Sequence, residues 1–394
     1  MLLKFLFWFS FFIIFYSYLG YGLLIFFLVK LQRIFSKNKK QPDTTGFEPD
    51  VTLVICAYNE AGFIERKILN SLDLDYPAEK LKFIFITDGS DDGTADIIQQ
   101  YPRIQWLHQT DRKGKVAAMN RAMTYVYTRY VIFSDANTLL NRGCIRNTIK
   151  HYADPAVGGV AGEKKIFTRE KDRAAGAGEG LYWRYESLLR KLDSEFYTVV
   201  GAAGELFSVQ TGLFQRLAEN VILDDFVQSL QICANGYVFR YEPNAYATES
   251  ASASMKEEQK RKIRISAGAF QAMAILKNLF NVIKYPVLSF QFISHRVLRW
   301  TLCPLCLFFL FVCNGWLVWH EGGVFFYVLF AAQLLFYALA WTGWICAGRN
   351  LRIKAFYIPY YFMFMNLSVF LGFYRFLKNR QTVYWEKSAR QDEA

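Results

Sequence analysis

An apolar run near the amino terminus constrains this chain more than any other feature. Phe5 to Val29 contains 25 residues without a charge, which as a helix can cross a hydrocarbon core of roughly 30 Å. A secretory signal peptide would have a shorter apolar region and a small-residue cleavage site, whereas basic residues follow here. We therefore expect residues 1–31 to form a membrane helix that stays attached, followed by a linker over residues 32–50.

Further apolar runs lie in the last third of the chain. The runs 298–319 and 324–347 are separated by only four residues, which predicts a hairpin of two membrane helices. The run 356–373 has basic residues on both sides, so spanning, re-entrant and interfacial positions all stay open. The predicted organisation of this end is interfacial and membrane helices over residues 286–374 and a polar tail over residues 375–394.

The charge distribution predicts which side of the membrane the middle of the chain occupies. Basic residues follow the first apolar run and precede the hairpin, which by the positive-inside rule places residues 51–285 in the cytoplasm of a multi-pass inner (plasma) membrane protein. The formal net charge of +12 is interpreted first as contact with anionic lipids and second as binding of a diphosphate. Nucleic acid is not an expected partner.

Between the apolar ends, strand patterns alternate with helix patterns. After Asn141 the pattern becomes more helical, with an amphipathic segment over Gly178–Leu192. Alternation of this kind predicts an α/β domain with a mostly parallel sheet, covered on both faces, that binds ligands at the carboxyl ends of its strands. The predicted strands are 51–56, 81–87, 104–107 and 130–134, and the predicted helices are 61–72, 94–99 and 115–127.

Polar motifs follow three of the predicted strands: Ala57-Tyr58-Asn59-Glu60, Thr87-Asp88-Gly89-Ser90 and Ser134-Asp135-Ala136-Asn137. Any one of them is equally well explained as a turn or a helix cap. Three together predict one crevice, because the sheet brings the strand ends to a common edge. Asp135 and Asn137 offer hard oxygen ligands for Mg²⁺ or Mn²⁺ beside a nucleotide diphosphate.

Two charged segments later in the chain also carry candidate chemistry. Asp224 and Asp225 lie between apolar runs, where one could act as a general base or both could form the first turn of a helix. Residues 256–264 contain five cations in nine positions. This basic segment has two interpretations, closure over a diphosphate and contact with anionic lipid, and its composition favours lipid slightly.

The ordered strings AYNE, TDGSDDGT, KGKVAAMN, SDAN, LDDF and RKIRISAG resemble the family 2 inverting glycosyltransferases, in the membrane-embedded branch of cellulose, hyaluronan and poly-N-acetylglucosamine synthases. The resemblance covers nearly the whole chain. It implies a Rossmann-like GT-A fold and a single displacement that forms a β-linkage from an α-linked UDP-sugar.

The resemblance also implies roles for individual residues on the donor side. Tyr58, Glu60 and Asp88 would contact the uridine, and Lys115 would help to hold the nucleotide-sugar. Asp135 matches the metal-binding Asp of the family's DxD motif, with Asn137 where a second Asp is usual.

On the acceptor side, Asp225 matches the catalytic Asp of the family, with Asp224 in place of the usual Glu. Arg264 matches the Arg of the QxxRW motif, which closes over the acceptor and the diphosphate. Arg261 replaces the Gln and Ile265 replaces the Trp of that motif, so processive synthesis is not implied.

The expected function is therefore β-glycosyl transfer from a UDP-sugar, with Mg²⁺ or Mn²⁺, onto a cell-surface polysaccharide or other glycan. Two rivals stay open. One is a non-processive enzyme that glycosylates a lipid or a polyprenyl phosphate, and the other is a non-catalytic membrane scaffold with a degenerate transferase domain. The expected partners are the donor, a glycan or lipid-linked acceptor, and membrane lipids; accessory subunits are left open.

Overall fold

The part of the chain that the computed structural model describes comprises residues 1–35, 44, 46–167, 177–250, 255–349 and 353–378. Residues 36–43 and 45 of the predicted linker and most of the predicted tail over 375–394 lie outside these residues. The structure therefore bears mainly on the predicted cytoplasmic domain and on the helices at both ends.

Four parallel strands form the first half of the sheet. They are β1 (Val51–Ala57), β2 (Leu81–Asp88), β3 (Ile104–Gln109) and β4 (Tyr130–Asp135), in the order β3-β2-β1-β4. Three of them are nearly continuous apolar runs because both faces of a parallel sheet are buried. Ala57 pairs with Thr87 and Cys56 with Asp135, so the three motif-bearing strands end level with one another.

The second half of the sheet was not predicted. It contains β5 (Leu139–Leu140), β6 (Val157–Phe167), β7 (Leu206–Gln210) and β8 (Val238–Ser250), which continue the order as β4-β7-β6-β8-β5. The part of the domain after Asn141 thus contains three strands that were not predicted, β6, β7 and β8, beside the expected helices. Glycines at the start of β6 weaken its strand signal, but a Cβ on Gly159 would lie 2.1 Å from the Phe239 ring, so only glycine fits there.

Helices cover both faces of this mixed sheet, over two apolar cores. The predicted helix from Lys115 ends at Ala122 and continues as one 3₁₀ turn. The α/β class and the helical ends are confirmed. The helices of the domain are α3 (Ile64–Leu72), α4 (Thr94–Gln99), α5 (Lys115–Ala122), α6 (Cys144–Ile149), α7 (Ala177–Phe196), α8 (Asp224–Ala234) and α9 (Met255–Ile275).

The amino-terminal helix contains a π-helical turn. α1 (Leu2–Phe15) and α2 (Tyr21–Phe35) are joined by the turn Tyr16–Gly20 into one continuous helix, which extends six residues beyond the predicted apolar run. A second π-helical turn, Ile293–Val297, follows α10 (Pro286–Phe292) and leads into α11 (Leu298–Trp300). π-Turns of this kind are frequent at functional sites.

Three long helices follow. They are α12 (Leu302–His320), α13 (Val324–Gly348) and α14 (Lys354–Leu377). Together with the helix over Leu2–Phe35, these give four helices in the described residues that are long and apolar enough to cross a membrane. The first of the three begins at Leu302 rather than at the predicted residue 298, because the backbone turns out of helical geometry at Thr301.

Helix α14 packs closely on the domain helix α9. A Cβ on Gly372 would lie 2.4 Å from Ser266 Cβ and 2.8 Å from the backbone nitrogen of Ala267. The two helices therefore touch nearly backbone to backbone, and a larger residue at position 372 would force them apart. Because α9 also carries Arg264, this contact links one predicted site residue to a candidate membrane helix.

Candidate functional site

The loops after β1 and β2 are locked together by side chain to backbone hydrogen bonds. Asn59, at a positive φ of 52°, donates from Nδ2 to Asp91 Oδ1 at 2.8 Å and accepts from the Asp91 backbone at 3.0 Å. The backbone of Ala61 donates to Asp92 at 3.0 Å, and that of Glu60 donates to Thr94 at 2.9 Å. The acidic residues that follow Asp88 thus hold the loop after β1 in place.

Asp88 and Tyr58 meet the segment that precedes α5. Asp88 accepts hydrogen bonds from the backbone of Lys113 at 3.1 Å and of Gly114 at 2.6 Å. The Arg112 guanidinium lies 3.6 Å from the centre of the Tyr58 ring, a cation–π contact. The sheet therefore gathers Tyr58, Glu60 and Asp88 in one loop cluster, and their role in binding a uridine stays a prediction.

Lys115, the first residue of α5, forms an ion pair with Asp135 at the end of β4. Its Nζ lies 2.6 Å from Asp135 Oδ1 and 3.4 Å from the carbonyl oxygen of Gly204. Burial alone would lower the pKa of Lys115, but Asp135 and then Asp224 outweigh this effect and raise it. Lys115 therefore keeps its positive charge at the floor of the site.

Two buried oxygen atoms of residues singled out by the sequence are of a type suited to a divalent cation. Asn137 Oδ1 and Asp224 Oδ2 are both buried, and neither has a hydrogen-bond partner within the described part of the chain. Amide and carboxylate oxygens are ligands that Mg²⁺ and Mn²⁺ accept. The described residues contain no group of three or more His, Cys, Asp or Glu side chains placed to hold a metal. The predicted pair Asp135 and Asn137 thus fits a metal only if substrate oxygens complete its coordination.

A buried lysine that the sequence did not reveal supports the segment carrying Asp135 and Asn137. Lys67 Nζ donates to Ser134 Oγ at 2.8 Å and to the Thr138 carbonyl at 2.9 Å. Its side chain is fully buried, and burial lowers its pKa to about 7 despite the opposing effect of Asp135. A lysine on an amphipathic helix normally indicates a solvent-facing position, so no local signal could have identified it.

The two acidic residues at the start of α8 differ in environment. Both lie in the first turn, where the helix dipole favours carboxylates, so the capping interpretation and the catalytic one are compatible. Asp224 is buried, whereas Asp225 is partly exposed. Burial first, and then the charge of Asp224, raise the pKa of Asp225 to about 7, while Lys115 acts in the opposite direction. Asp225 can therefore accept a proton near neutral pH.

One cavity of about 710 Å³ joins these groups to the candidate membrane helices. Lys115, Asp135, Asp225 and Arg264 all line it, whereas the loop cluster of Tyr58, Glu60 and Asp88 and the side chain of Asn137 are not among its described lining residues. Its far wall is formed by Tyr18 and Leu19 of the amino-terminal helix and by residues of α14. The cavity thus extends from the edge of the sheet to the candidate membrane spans.

The replaced positions of the basic segment lie at the same cavity. Arg261 pairs with Glu258 through hydrogen bonds of 3.0 and 3.1 Å, so it has a structural partner. The pKa of Arg264 is lowered, because the effect of burial outweighs the opposing effect of Asp224. Ile265 presents an apolar side chain where the family motif has an aromatic one.

A buried ionic cluster at the membrane side of the cavity was also missed. His295 in the second π-turn is fully buried, with Nδ1 2.5 Å from Asp193 Oδ2 and Nε2 3.3 Å from Glu186 Oε2. Arg296 Nη2 lies 2.6 Å from Glu186 Oε1, at an angle too poor for a hydrogen bond, and Arg299 Nη1 lies 3.4 Å from Oε2. Arg190 Nε lies 3.8 Å from Glu186 Oε1. We name Glu186, Arg190, Asp193, His295, Arg296 and Arg299 the membrane-side cluster.

Comparison with known sequences gives a family match and several similar proteins. Residues 52–217 match the family model described as Glycosyl transferase family 2. The poly-beta-1,6-N-acetyl-D-glucosamine synthase of Staphylococcus aureus is 28% identical over 273 residues, which cover 66% of this chain and 64% of that protein. The Staphylococcus epidermidis synthase of the same name is 23% identical over 271 residues, covering 65% and 63%. The match thus spans slightly less than two thirds of these relatives.

Comparison with solved structures gives a similar fold over most of the chain. A mannosyltransferase from Pyrobaculum calidifontis, solved in complex with GDP-Man and Mn²⁺, superposes with a TM-score of 0.64. The superposition covers 91% of this chain and 96% of that one, at 22% sequence identity. At this identity the likeness establishes the arrangement of the chain and not its ligands.

Two glycines near the loop cluster allow the effect of a steric contact with Arg112 to be tested separately from the effect of backbone strain. Gly89 and Gly93 both have positive φ, but a Cβ on Gly89 would lie 2.8 Å from Arg112, whereas one on Gly93 would meet only an Asp96 oxygen at 4.0 Å. Gly89→Ala and Gly93→Ala should share a conformational penalty of roughly 1–2 kcal/mol. We expect only Gly89→Ala to displace Arg112 from Tyr58 and to lower UDP affinity at least tenfold, measured by calorimetry. Equal UDP affinities for the two variants would contradict this role of the loop.

Proposed function

Because residues 52–217 form a glycosyltransferase family 2 domain and the chain has the GT-A fold, we propose that this protein is an inverting glycosyltransferase. It transfers a sugar from a UDP-sugar to the hydroxyl of a glycan acceptor and so extends a polysaccharide. The polymer assignment is supported by the similarity to two polysaccharide synthases. The choice of UDP is supported by the sequence motifs alone.

One observation carries the proposal. A proton acceptor with a pKa near neutrality, Asp225, shares a cavity with the ion pair of Lys115 and Asp135. In the proposed reaction, the acceptor oxygen bonds to the anomeric carbon while the bond from that carbon to the diphosphate breaks. The hydroxyl proton passes to Asp225, and Lys115 lies where it can neutralise charge on the leaving diphosphate.

A divalent cation fits beside these residues. Asp135 and Asn137 would hold Mg²⁺ or Mn²⁺, and the bound ion would stabilise the leaving diphosphate as a Lewis acid. Lys67 holds the segment between them in place through Ser134 and Thr138. Metal dependence is also consistent with the Mn²⁺ in the structure of the mannosyltransferase.

The proposed donor and reaction are tested with the purified full-length protein in lipid. We expect transfer from one member of a panel of UDP-sugars, with Mg²⁺ or Mn²⁺ and an oligosaccharide acceptor, measured as release of UDP and as product size. GDP-mannose is the matched competitor, since the structural relative was solved with that donor. Transfer from GDP-mannose but from no UDP-sugar would overturn the donor assignment, and absence of any transfer would favour a scaffold.

The assignment of the base predicts a difference between two adjacent residues. Asp225→Asn keeps the shape of the side chain but cannot accept a proton, so transfer should fall by roughly 10²-fold or more. UDP affinity should stay near that of the unchanged protein, because the loop cluster and Lys115 bind the nucleotide. Transfer rate and UDP affinity are measured on the same preparation.

Asp224→Asn is the matched variant and should be milder. The reaction needs Asp225 deprotonated, so kcat/KM should rise with pH through about 7 and then level off. Removing the Asp224 charge should lower the pKa of Asp225 and move this profile to lower pH. If Asp224→Asn is the more damaging change, or if Asp225→Asn abolishes UDP binding, the assignment of the base is wrong.

The proposed orientation places the catalytic domain in the cytoplasm, where nucleotide-sugars are made. The basic residues that flank the spans support this placement. A cysteine placed at exposed Arg184 should be protected from an impermeant thiol reagent in intact cells, whereas one placed at Gly322 in the α12–α13 turn should react. Labelling of the Arg184 position from outside would reverse the orientation.

A further inference from the structure

The membrane-side cluster contains more positive than negative groups. Glu186 lies against three arginines, Arg190, Arg296 and Arg299. The second carboxylate, Asp193, accepts hydrogen bonds from Tyr21, Gln291 and the ring of His295. Three cations thus face two carboxylates in a buried position. Uncompensated buried charge is unfavourable, so the cluster favours an added anion.

This excess charge faces the cavity. Glu186, Arg296 and Arg299 all line it, on the side away from the loop cluster. Arg299 also donates from Nε to the carbonyl of Ser17 at 3.0 Å, and Tyr185 donates to the carbonyl of Tyr18 at 2.6 Å. Both carbonyls belong to the π-turn of the amino-terminal helix, so the charged wall lies directly against a candidate membrane span.

The neighbouring wall of the cavity is apolar and belongs to α14. Ile358, Phe362, Met365 and Val369 line the cavity at intervals of three or four residues, which is one face of a helix. Leu19 extends this surface from the amino-terminal helix. An apolar surface between two candidate membrane spans is suited to a lipid chain.

The catalytic end of the cavity limits the nucleophile. A phosphate oxygen is already ionised near neutral pH and needs no base, whereas a sugar hydroxyl does. Asp225 is such a base, so the group that reacts is a hydroxyl. The cavity therefore offers, in one space, a site for a hydroxyl, a site for an anion and a surface for an apolar chain.

We propose that the acceptor is a saccharide joined through phosphate to a membrane lipid, with the phosphate at the membrane-side cluster and the lipid chain along α14. This inference rests on the proposed glycosyl transfer and names the acceptor class. A free or fully extruded polysaccharide would need neither the excess positive charge nor the apolar wall.

Binding is tested on the full-length protein in nanodiscs of phosphatidylcholine, with farnesyl phosphate, farnesol and inorganic phosphate as probes. We expect farnesyl phosphate to bind at least tenfold more tightly than either of the others, because each of those carries only one of its two features. Arg296→Gln should weaken farnesyl phosphate binding at least tenfold and leave farnesol binding unchanged. Lys191→Gln, on the exposed face of α7, is the matched control.

A second pair of variants keeps the test decisive if Arg296→Gln does not fold. Met365→Gln on the cavity face of α14 should weaken farnesyl phosphate binding, whereas Leu367→Gln, exposed on the same helix, should not. Equal binding of farnesyl phosphate and inorganic phosphate, or no effect of Met365→Gln, would overturn the lipid assignment. An equal loss of UDP binding in Arg296→Gln would place the cluster in the donor site instead.

These results are independent of the proposed transfer reaction. Sugar transfer without competition by farnesyl phosphate would refute the acceptor class alone. Farnesyl phosphate binding without any sugar transfer would refute the proposed function while leaving the lipid site in place.

Discussion

The contact of His295 with Asp193 and Glu186 is the interaction on which the position of the site relative to the membrane depends. It joins α7 of the domain to the segment that leads into the carboxy-terminal spans, and Tyr21 of the amino-terminal helix also donates to Asp193. Removing one partner of a buried hydrogen bond leaves the other unsatisfied, which costs about 1–3 kcal/mol. Domain and membrane helices are therefore held as one unit, and the cavity between them has a defined shape.

At the other end of the cavity, the positions of the charged side chains determine the pKa of Asp225. Lys115 pairs with Asp135, which leaves Asp225 beside a second carboxylate and partly buried. Both aspartates line the cavity, but they acquire different properties because Asp224 is buried and Asp225 is partly exposed. In the proposed reaction, this arrangement would separate the base for the acceptor from the residues that bind the nucleotide.

The sequence was sufficient for the features that depend on local pattern. The apolar runs predicted the terminal helices, and the level strand ends brought the polar motifs to one edge as expected. Long-range pairs could not be predicted. Glu186 and His295 are 109 residues apart, and Lys67 on the helix α3 donates to Ser134 on the strand β4. The strand β6 was missed because its glycines are explained only by residues far along the chain, such as Phe239, whose ring packs on Gly159.

The close approach of Gly372 to Ser266 has a consequence for where the domain ends. The residues between the first span and Tyr285 contain the family motifs, yet α9 within them is positioned by a helix nearly one hundred residues later. Arg264 on α9 would lose that support in a fragment cut off before the carboxy-terminal spans. The domain boundary that the motifs suggest is therefore not a boundary of independent folding. A soluble fragment that ends there would contain the motifs without their complete site.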